Sequence, residues 1–267
     1  MLRNVGLLRT ANEIDFIQEI MEIHIQHFPI LYFLDDSDDG TGEIVRQYPQ
    51  VVWSAKVPKP GDKWRCLEQA QQKAMDQILQ DQGDGVWITN LFGDELLWYC
   101  PLQSIQRAEY MGWTATVWSP MHFFLHTSQQ QTWETEWATK PVLERLRWYC
   151  PGTTQEGWPG AEVKQYKAFK GMIYTPGCKD YPEGAAQSTN PPPYPLYMHV
   201  GYRSPAQAME RVRGNLASGF NFDDRGMLKK GPFLDCLSGL GGPYKFRGDF
   251  SPFEILDLYQ SMECKHE

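Results

Sequence analysis

Two groups of acidic residues in this 267-residue chain have the types and spacing for binding a divalent cation. The first comprises Asp35, Asp36, Asp38 and Asp39 in the stretch LDDSDDGTGEIV, and the second is the pair Asp94 and Glu95 in NLFGDELLW. Like charges this close repel one another, so water or a cation must attend them. Carboxylates on one rim can hold a hard cation, which can then bind a diphosphate and stabilise its charge.

The first acidic group has two other interpretations. Asp, Ser and Gly are ordinary turn residues, and Asp38 or Asp39 can cap a short helix predicted at 41–47. A calcium loop is the other alternative, with loop positions one, three, five, six and nine at Asp35, Ser37, Asp39, Gly40 and Glu43. Its twelfth position is Arg46 where a bidentate Glu is required, and a strand rather than a helix precedes it.

Hydrophobic patterning predicts the elements that position these acids. Strands are expected at 4–10, 30–34, 51–55 and 86–92, and helices at 12–28, 41–47, 62–82 and 101–112. Asn12 is the expected N-cap of the first helix. This alternation predicts an α/β domain with a parallel sheet, whose strands end at one edge. Both acidic groups should meet there with Thr10, Asn12 and Glu13. After residue 113 the pattern loosens, except for a helix at 204–216.

Composition narrows the function classes. The net charge of −8 and the absence of a basic run argue against binding to nucleic acid or to an anionic membrane. The six cysteines show no zinc spacing, and no apolar stretch approaches the roughly 20 residues that span a bilayer. The first residues contain no long apolar segment of a secretory signal. We therefore expect a cytoplasmic protein, and peripheral membrane contact stays open.

Four stretches together resemble a family-2-type glycosyltransferase of the GT-A fold. LLRTANEIDFIQE matches the N-E after the first strand, LDDSDDGTGEIV the D-D-S-x-D-G-T turn, and GDGVWITNLFGDELLW the D-A-D-E motif. LYMHVGYRSPAQAMERVRGN looks like the H-x-G-Y-R-S segment near the end of some bacterial members. The motifs cover residues 5–100 and 196–215, whereas 113–190 has no match. In this chain Phe92 replaces the first Asp of D-A-D-E.

The resemblance implies a GT-A-like architecture, with a mostly parallel Rossmann-type sheet flanked by helices and an irregular C-terminal extension. It assigns nucleotide-sugar binding to 1–112 and acceptor binding to 113–267, within one globular unit. Residues expected to meet the donor are Thr10, Asn12, Glu13, Asp35, Asp36, Arg65 and Arg203. Asp94 is the expected catalytic ligand of Mg²⁺ or Mn²⁺ on the diphosphate, with Glu95 orienting the sugar or supporting the ion.

His199 is the expected third metal ligand by the same resemblance, and its alternative is an ordinary core or surface histidine. Arg203 is expected to meet a phosphate oxygen, or else to be a solvated charge. An inverting transfer also needs a carboxylate base. Sequence spacing selects none of the candidates Glu134, Glu136, Asp180 and Glu183. Aromatic side chains that could stack on an acceptor sugar, or simply pack, are Trp133, Trp137, Trp158 and Tyr181.

The leading interpretation is a glycosyltransferase that moves a sugar from a nucleotide-sugar donor to a glycan or lipid-linked acceptor. The alternative, motivated by Phe92, is a non-catalytic GT-A-like protein that binds a nucleotide or a sugar. A nucleotidyltransferase shares the sheet and the metal chemistry, but it would usually carry a Gly-rich basic loop after the first strand. The stretch LLRTANE contains no glycine.

Overall fold

The computed structural model describes residues 2–58, 63–151, 161–175, 181–192, 194–217, 231–235 and 244–245. The chain forms two compact units. The first consists of Met1–Trp118 and Glu162–Pro195, and the second of Ser119–Ala161 and Leu196–Glu267. The predicted assignment of donor binding to 1–112 and acceptor binding to 113–267 stays a prediction.

Strands and helices alternate along the first part of the chain. The strands are β1 (Asn4–Thr10), β2 (Leu31–Asp35), β3 (Val51–Lys56), β4 (Val86–Phe92), β5 (Glu95–Leu97), β6 (Ala115–Phe124), β7 (Trp148–Pro151), β8 (Glu162–Ala168), β9 (Leu196–His199) and β10 (Tyr244–Lys245). The α-helices are α1 (Ile17–His27), α2 (Thr41–Val45), α3 (Lys63–Gln82), α4 (Pro101–Met111), α5 (Val142–Arg145) and α6 (Pro205–Ala217).

The first unit is built on a sheet whose parallel part has the strand order β3-β2-β1-β4. Thr10 of β1 lies opposite Asp35 of β2, and Arg9 lies opposite Phe92 of β4. Next to β4, strand β8 runs antiparallel, and the first half of β6 pairs antiparallel with β8. The predicted α/β class, with a mostly parallel sheet and flanking helices, is confirmed.

Burial explains why these segments form the sheet and its helices. Strand β2 is buried along its whole length, as expected of a parallel strand covered on both faces. Helix α3 packs a stripe onto the same core, comprising Leu67, Ala70, Ala74, Met75 and Ile78. Complete burial of a side chain such as Met75 or Ile78 contributes roughly 1.5–3 kcal/mol. The predicted strands agree with the observed ones to within one residue.

The start of α1 differs from the prediction. The helix begins at Ile17 rather than near residue 12, and Asn12 is not its N-cap. Asn12 has a φ of 66°, and its Oδ1 accepts a hydrogen bond from the backbone N–H of Asp38. The backbone N–H groups of Glu13 and Ile14 donate to the side chains of Thr41 and Asp39, so they are not the unpaired N–H groups of a helix start. Loop-to-loop hydrogen bonds thus override the helical pattern here.

The second unit has a small sheet of its own. The second half of β6 pairs antiparallel with β7 and parallel with β9, and β7 also pairs with β10. Helix α6 confirms the predicted helix at 204–216, and Ser204 Oγ accepts a hydrogen bond from Gln207 N at its start. The described helices of both units include none that is long and apolar enough to cross a bilayer.

Candidate functional site

The last two residues of β1 hold the turns that follow β2 and β4. The carbonyl of Arg9 accepts a hydrogen bond from Gly93 N at 2.8 Å, and the carbonyl of Thr10 accepts one from Asp36 N at 3.0 Å. Both acidic groups therefore follow strands at the same edge of the sheet, as predicted from the sequence. The strand order reverses between β1 and β4, and ligands of open α/β sheets bind at such a reversal.

Asp35 is the structural centre of the first acidic group. Its buried carboxylate accepts hydrogen bonds from Ser37 N (2.9 Å), Arg46 Nη2 (2.5 Å) and Lys56 Nζ (3.2 Å). A Cβ atom at residue 42 would lie 2.1 Å from Asp35 Oδ2, so Gly42 is required for this approach. Because Arg46 and Lys56 already neutralise Asp35, the geometry does not fit the calcium-loop alternative.

Asp39 serves the turn itself. Its Oδ1 accepts hydrogen bonds from the N–H and the hydroxyl of Thr41 at 3.0 and 2.6 Å, and its Oδ2 accepts one from Ile14 N at 3.1 Å. Asp39 is thus a turn residue that hydrogen-bonds the first residue of α2, but the N-cap of α2 is Gly40 rather than the predicted Asp38 or Asp39. Asp36 is half-buried and Asp38 is exposed. The acidic cluster is consequently divided between structural and solvent-facing carboxylates.

The loop after β1 is joined to this turn by further hydrogen bonds. Ser37 Oγ lies 3.0 Å from Thr10 Oγ1 and accepts a hydrogen bond from Asn12 N at 3.1 Å. Glu13 N donates to Thr41 Oγ1 at 2.9 Å. Predicted donor-binding residues that the structure brings into this one pair of loops are Thr10, Asn12, Glu13, Asp35 and Asp36. Their contact with a donor stays a prediction.

The turn after β4 packs directly against the loop after β1. A Cβ atom at Gly93 would lie 2.8 Å from Glu13 Oε2 and 3.0 Å from Thr10 Cγ2. Asp94 and Glu95 follow, and both are buried. One carboxylate oxygen of Asp94 and one of Glu95 lie within 4.8 Å of each other. This donor set fits Mg²⁺ or Mn²⁺, because hard divalent cations prefer carboxylate oxygens.

Lys164, which sequence reasoning missed, pairs with the second acidic group, and Arg9 at the end of β1 contacts the neighbouring ring of Phe92. Lys164 Nζ, on β8, donates to Glu95 Oε2 at 2.7 Å and to Glu162 Oε2 at 2.9 Å. The ring of Phe92 lies 4.6 Å from Lys164 Nζ and 4.3 Å from Arg9 Cζ, measured to the ring centroid. Lys164 lies far from every motif along the chain, and only the pairing of β8 with β4 brings it here.

Burial and the mutual ion pair shift the pKa values of Glu95 and Lys164. Burial raises the pKa of Glu95 above its ordinary value, and the nearby Lys164 ammonium opposes that shift. Burial alone would lower the pKa of Lys164, but the carboxylates of Glu95 and Glu162 outweigh it and raise that pKa. Lys164 therefore carries its positive charge at neutral pH.

The second unit contains the stretch that resembles the H-x-G-Y-R-S segment, with His199 and Arg203. His199 Nδ1 lies 2.9 Å from His122 Nδ1, and His199 Nε2 lies 3.4 Å from Arg211 Nη2. Both ring nitrogens of His199 therefore have neighbours within their own unit. Arg203 is buried rather than solvated, with 1% of its surface exposed. The predicted roles of His199 as a metal ligand and of Arg203 at a phosphate stay predictions.

The structure also places the other candidates. The backbone of Arg65 lies in the first turn of α3, and its side chain lies outside the described part, as do Asp180 and Trp158. The general-base candidates that are described, Glu134, Glu136 and Glu183, are exposed.

The three described aromatic candidates take part in packing. Trp133 is buried, and its ring lies 5.9 Å from the ring of Phe233. Tyr181 packs against the core of the first unit. The ring of Trp137 is contacted by the cations of Lys140 and Arg147, at 4.7 and 5.1 Å. Packing thus accounts for these three side chains, and their predicted contact with an acceptor stays a prediction.

No family model matches the chain, and no curated protein matches it. Among solved structures, the chain aligns with one from Bacillus anthracis described as a glucose-1-phosphate thymidylyltransferase in complex with a sucrose. That alignment covers 96% of this chain and 95% of the other, with 11% identity and a TM-score of 0.31. A TM-score this low does not indicate a shared activity.

Proposed function

We propose that this protein is a glycosyltransferase that moves a sugar from a nucleotide-sugar donor to a glycan or lipid-linked acceptor, with help from Mg²⁺ or Mn²⁺. The observation that carries the proposal is the shared anchor on β1. Arg9 and Thr10 hold the turns that bear Asp94 and Asp36, at the point where the strand order reverses. A nucleotide and its diphosphate are the kind of ligand that binds at such a reversal.

The residues divide into two groups by their surroundings. The loop pair of Thr10, Asn12 and Asp36 is rigidly hydrogen-bonded, which suits recognition of a base and ribose. Asp94 and Glu95 follow the neighbouring turn after β4 and are buried, which suits binding of the diphosphate of the donor. A divalent ion held there would neutralise the charge of the leaving diphosphate. By the sequence resemblance, His199 is the third ligand and Arg203 meets a phosphate oxygen.

Acceptor chemistry needs a carboxylate to take the proton of the attacking hydroxyl if the transfer inverts the anomeric centre. The exposed carboxylates Glu134, Glu136 and Glu183 remain the described candidates. Each is tested by its Gln variant, in which loss of transfer to acceptor with unchanged donor binding identifies the base.

A non-catalytic GT-A-like binding protein is the second candidate function. The observation in its favour is Phe92, whose ring is contacted by Arg9 and Lys164 in place of a first acid. Such a protein would bind a nucleotide or a sugar without turnover, and its binding would not depend on a metal.

Calorimetry with UDP and GDP, with and without Mn²⁺, separates the two functions when it is combined with assays of donor hydrolysis. We expect Asp94→Asn to abolish hydrolysis and metal-dependent nucleotide binding. The matched control is Asp76→Asn on the exposed side of α3, where Asp76 Oδ1 accepts a hydrogen bond from Gln72. Unchanged turnover in Asp94→Asn would remove Asp94 as metal ligand, and metal-independent binding without turnover would favour the second function.

A further inference from the structure

Lys164 is a fully buried cation next to the candidate metal ligands. Its side chain is 1% exposed, and its Nζ lies 2.7 Å from Glu95 Oε2 and 2.9 Å from Glu162 Oε2. A buried ammonium is tolerated only when it is paired with an opposite charge. The Glu95 carboxylate is therefore already engaged by a cation that belongs to the chain.

Phe92 reinforces this arrangement. Its ring contacts both Lys164 and Arg9, but an aromatic ring carries no formal charge to form an ion pair. The carboxylates of Glu95 and Glu162 must consequently balance the ammonium of Lys164. An acid at residue 92, as in the motif that this stretch resembles, would share that task and release Glu95 for a metal ion.

We propose that Lys164 competes with a divalent cation for the carboxylate of Glu95 and thereby sets the metal affinity of the Asp94–Glu95 pair. The inference rests on the proposed function in one respect, the assignment of this pair to the metal. A divalent ion on Glu95 would lie beside the ammonium, and like charges a few ångströms apart in a buried place repel strongly. Removing the Lys164 charge should tighten metal binding.

The test measures Mn²⁺ binding by electron paramagnetic resonance, without nucleotide, at a constant pH. We expect Lys164→Met to bind Mn²⁺ about tenfold more tightly than the wild type. Lys164→Arg keeps the charge and should stay within about threefold of the wild type. Equal or weaker binding by Lys164→Met overturns the proposal.

Glu162→Gln supplies a second variant in case Lys164→Met does not fold. The Glu162 side chain is 46% exposed, so its substitution is mild, and it removes one of the two described carboxylates that pair with Lys164. We expect Mn²⁺ binding to weaken about threefold in the wild-type background. In the Lys164→Met background the same substitution should have little effect. An equal loss in both backgrounds would mean that Glu162 acts on the ion directly, and the proposal would then fail.

Donor hydrolysis distinguishes this inference from the proposed function. Tightened Mn²⁺ binding by Lys164→Met, in a protein that hydrolyses no nucleotide sugar, supports the inference and removes glycosyl transfer. Donor turnover with no effect of Lys164→Met on Mn²⁺ binding overturns the inference and leaves the proposed function in place.

Discussion

Gly93 and Glu13 are so close that no side chain fits between them, since a Cβ atom at residue 93 would lie 2.8 Å from Glu13 Oε2. That oxygen is fixed, because it also accepts a hydrogen bond from Ala11 N at 2.5 Å. The contact joins the loop after β1 to the turn that carries Asp94. It is the direct physical link between the predicted base-binding and metal-binding groups of the first unit.

This contact predicts the effect of Gly93→Ala. The added methyl group should destabilise the fold by about 1–3 kcal/mol, as overpacking does, and should weaken nucleotide binding by displacing Asp94. Urea unfolding and calorimetry with UDP measure the two effects. Glu13→Asp, which shortens the acid, should restore part of the loss in the double variant. Strictly additive losses would show that the two residues do not interact.

Arg46 and Asp35 form the second testable pair. Arg46→Met should lower the free energy of unfolding by about 1–3 kcal/mol, because it removes one of the partners of a fully buried carboxylate. Glu43→Gln is the control, since the exposed Glu43 lies 3.9 Å from the same guanidinium and should contribute less than about 0.5 kcal/mol. Urea denaturation measures the free energy of unfolding of both variants. Equal effects would mean that Asp35 is not held as the structure indicates.

The sequence predicted the sheet edge well, because hydrophobic runs and turn residues are local signals. Strands β1 and β4 were bounded correctly, and their parallel pairing follows from the alternation with helices. The predicted start of α1 was wrong, because the backbone N–H groups of Asn12 and Glu13 donate to the side chains of Ser37 and Thr41, about 25 positions later. No periodicity encodes such contacts.

The cations were harder to predict than the acids. From the sequence, Arg46 was considered only because it does not fit the twelfth position of a calcium loop. In the structure it lies at the end of α2 and neutralises the carboxylate of Asp35. Lys164 reaches Glu95 only because β8 pairs antiparallel with β4. Carboxylates follow their strands at fixed offsets and so form motifs, whereas the partners that balance their charge come from distant segments and leave no local pattern.

His24 predicts a dependence of stability on pH. Burial, with a smaller contribution from His27, lowers the pKa of His24 to about 3, so the folded protein keeps this ring neutral. The unfolded chain binds a proton near pH 6.5, and stability is therefore lost as the pH falls from about 6.5 towards 3.

The loss attributable to His24 between pH 6.5 and 5 should be about 2 kcal/mol. His24→Gln cannot titrate, and its amide can still reach the Glu95 backbone that the ring contacts. Urea unfolding at both pH values, with a chelator present, should show a smaller pH effect in the variant. The same slope in both proteins would mean that other groups, such as His27, control the acid sensitivity.

His199 gives the last prediction, which comes from the sequence resemblance. If His199 ligates the ion, His199→Ala should weaken Mn²⁺ binding by tenfold or more, and His122→Asn should weaken it about tenfold, because His122 contacts the same ring and orients it. His27→Ala, on the half-buried side of α1, is the matched control and should bind Mn²⁺ like the wild type. Electron paramagnetic resonance of free Mn²⁺ measures all three. Should His199→Ala bind as tightly as His27→Ala, the imidazole is only a partner of His122 and Arg211, and the metal ligands are carboxylates alone.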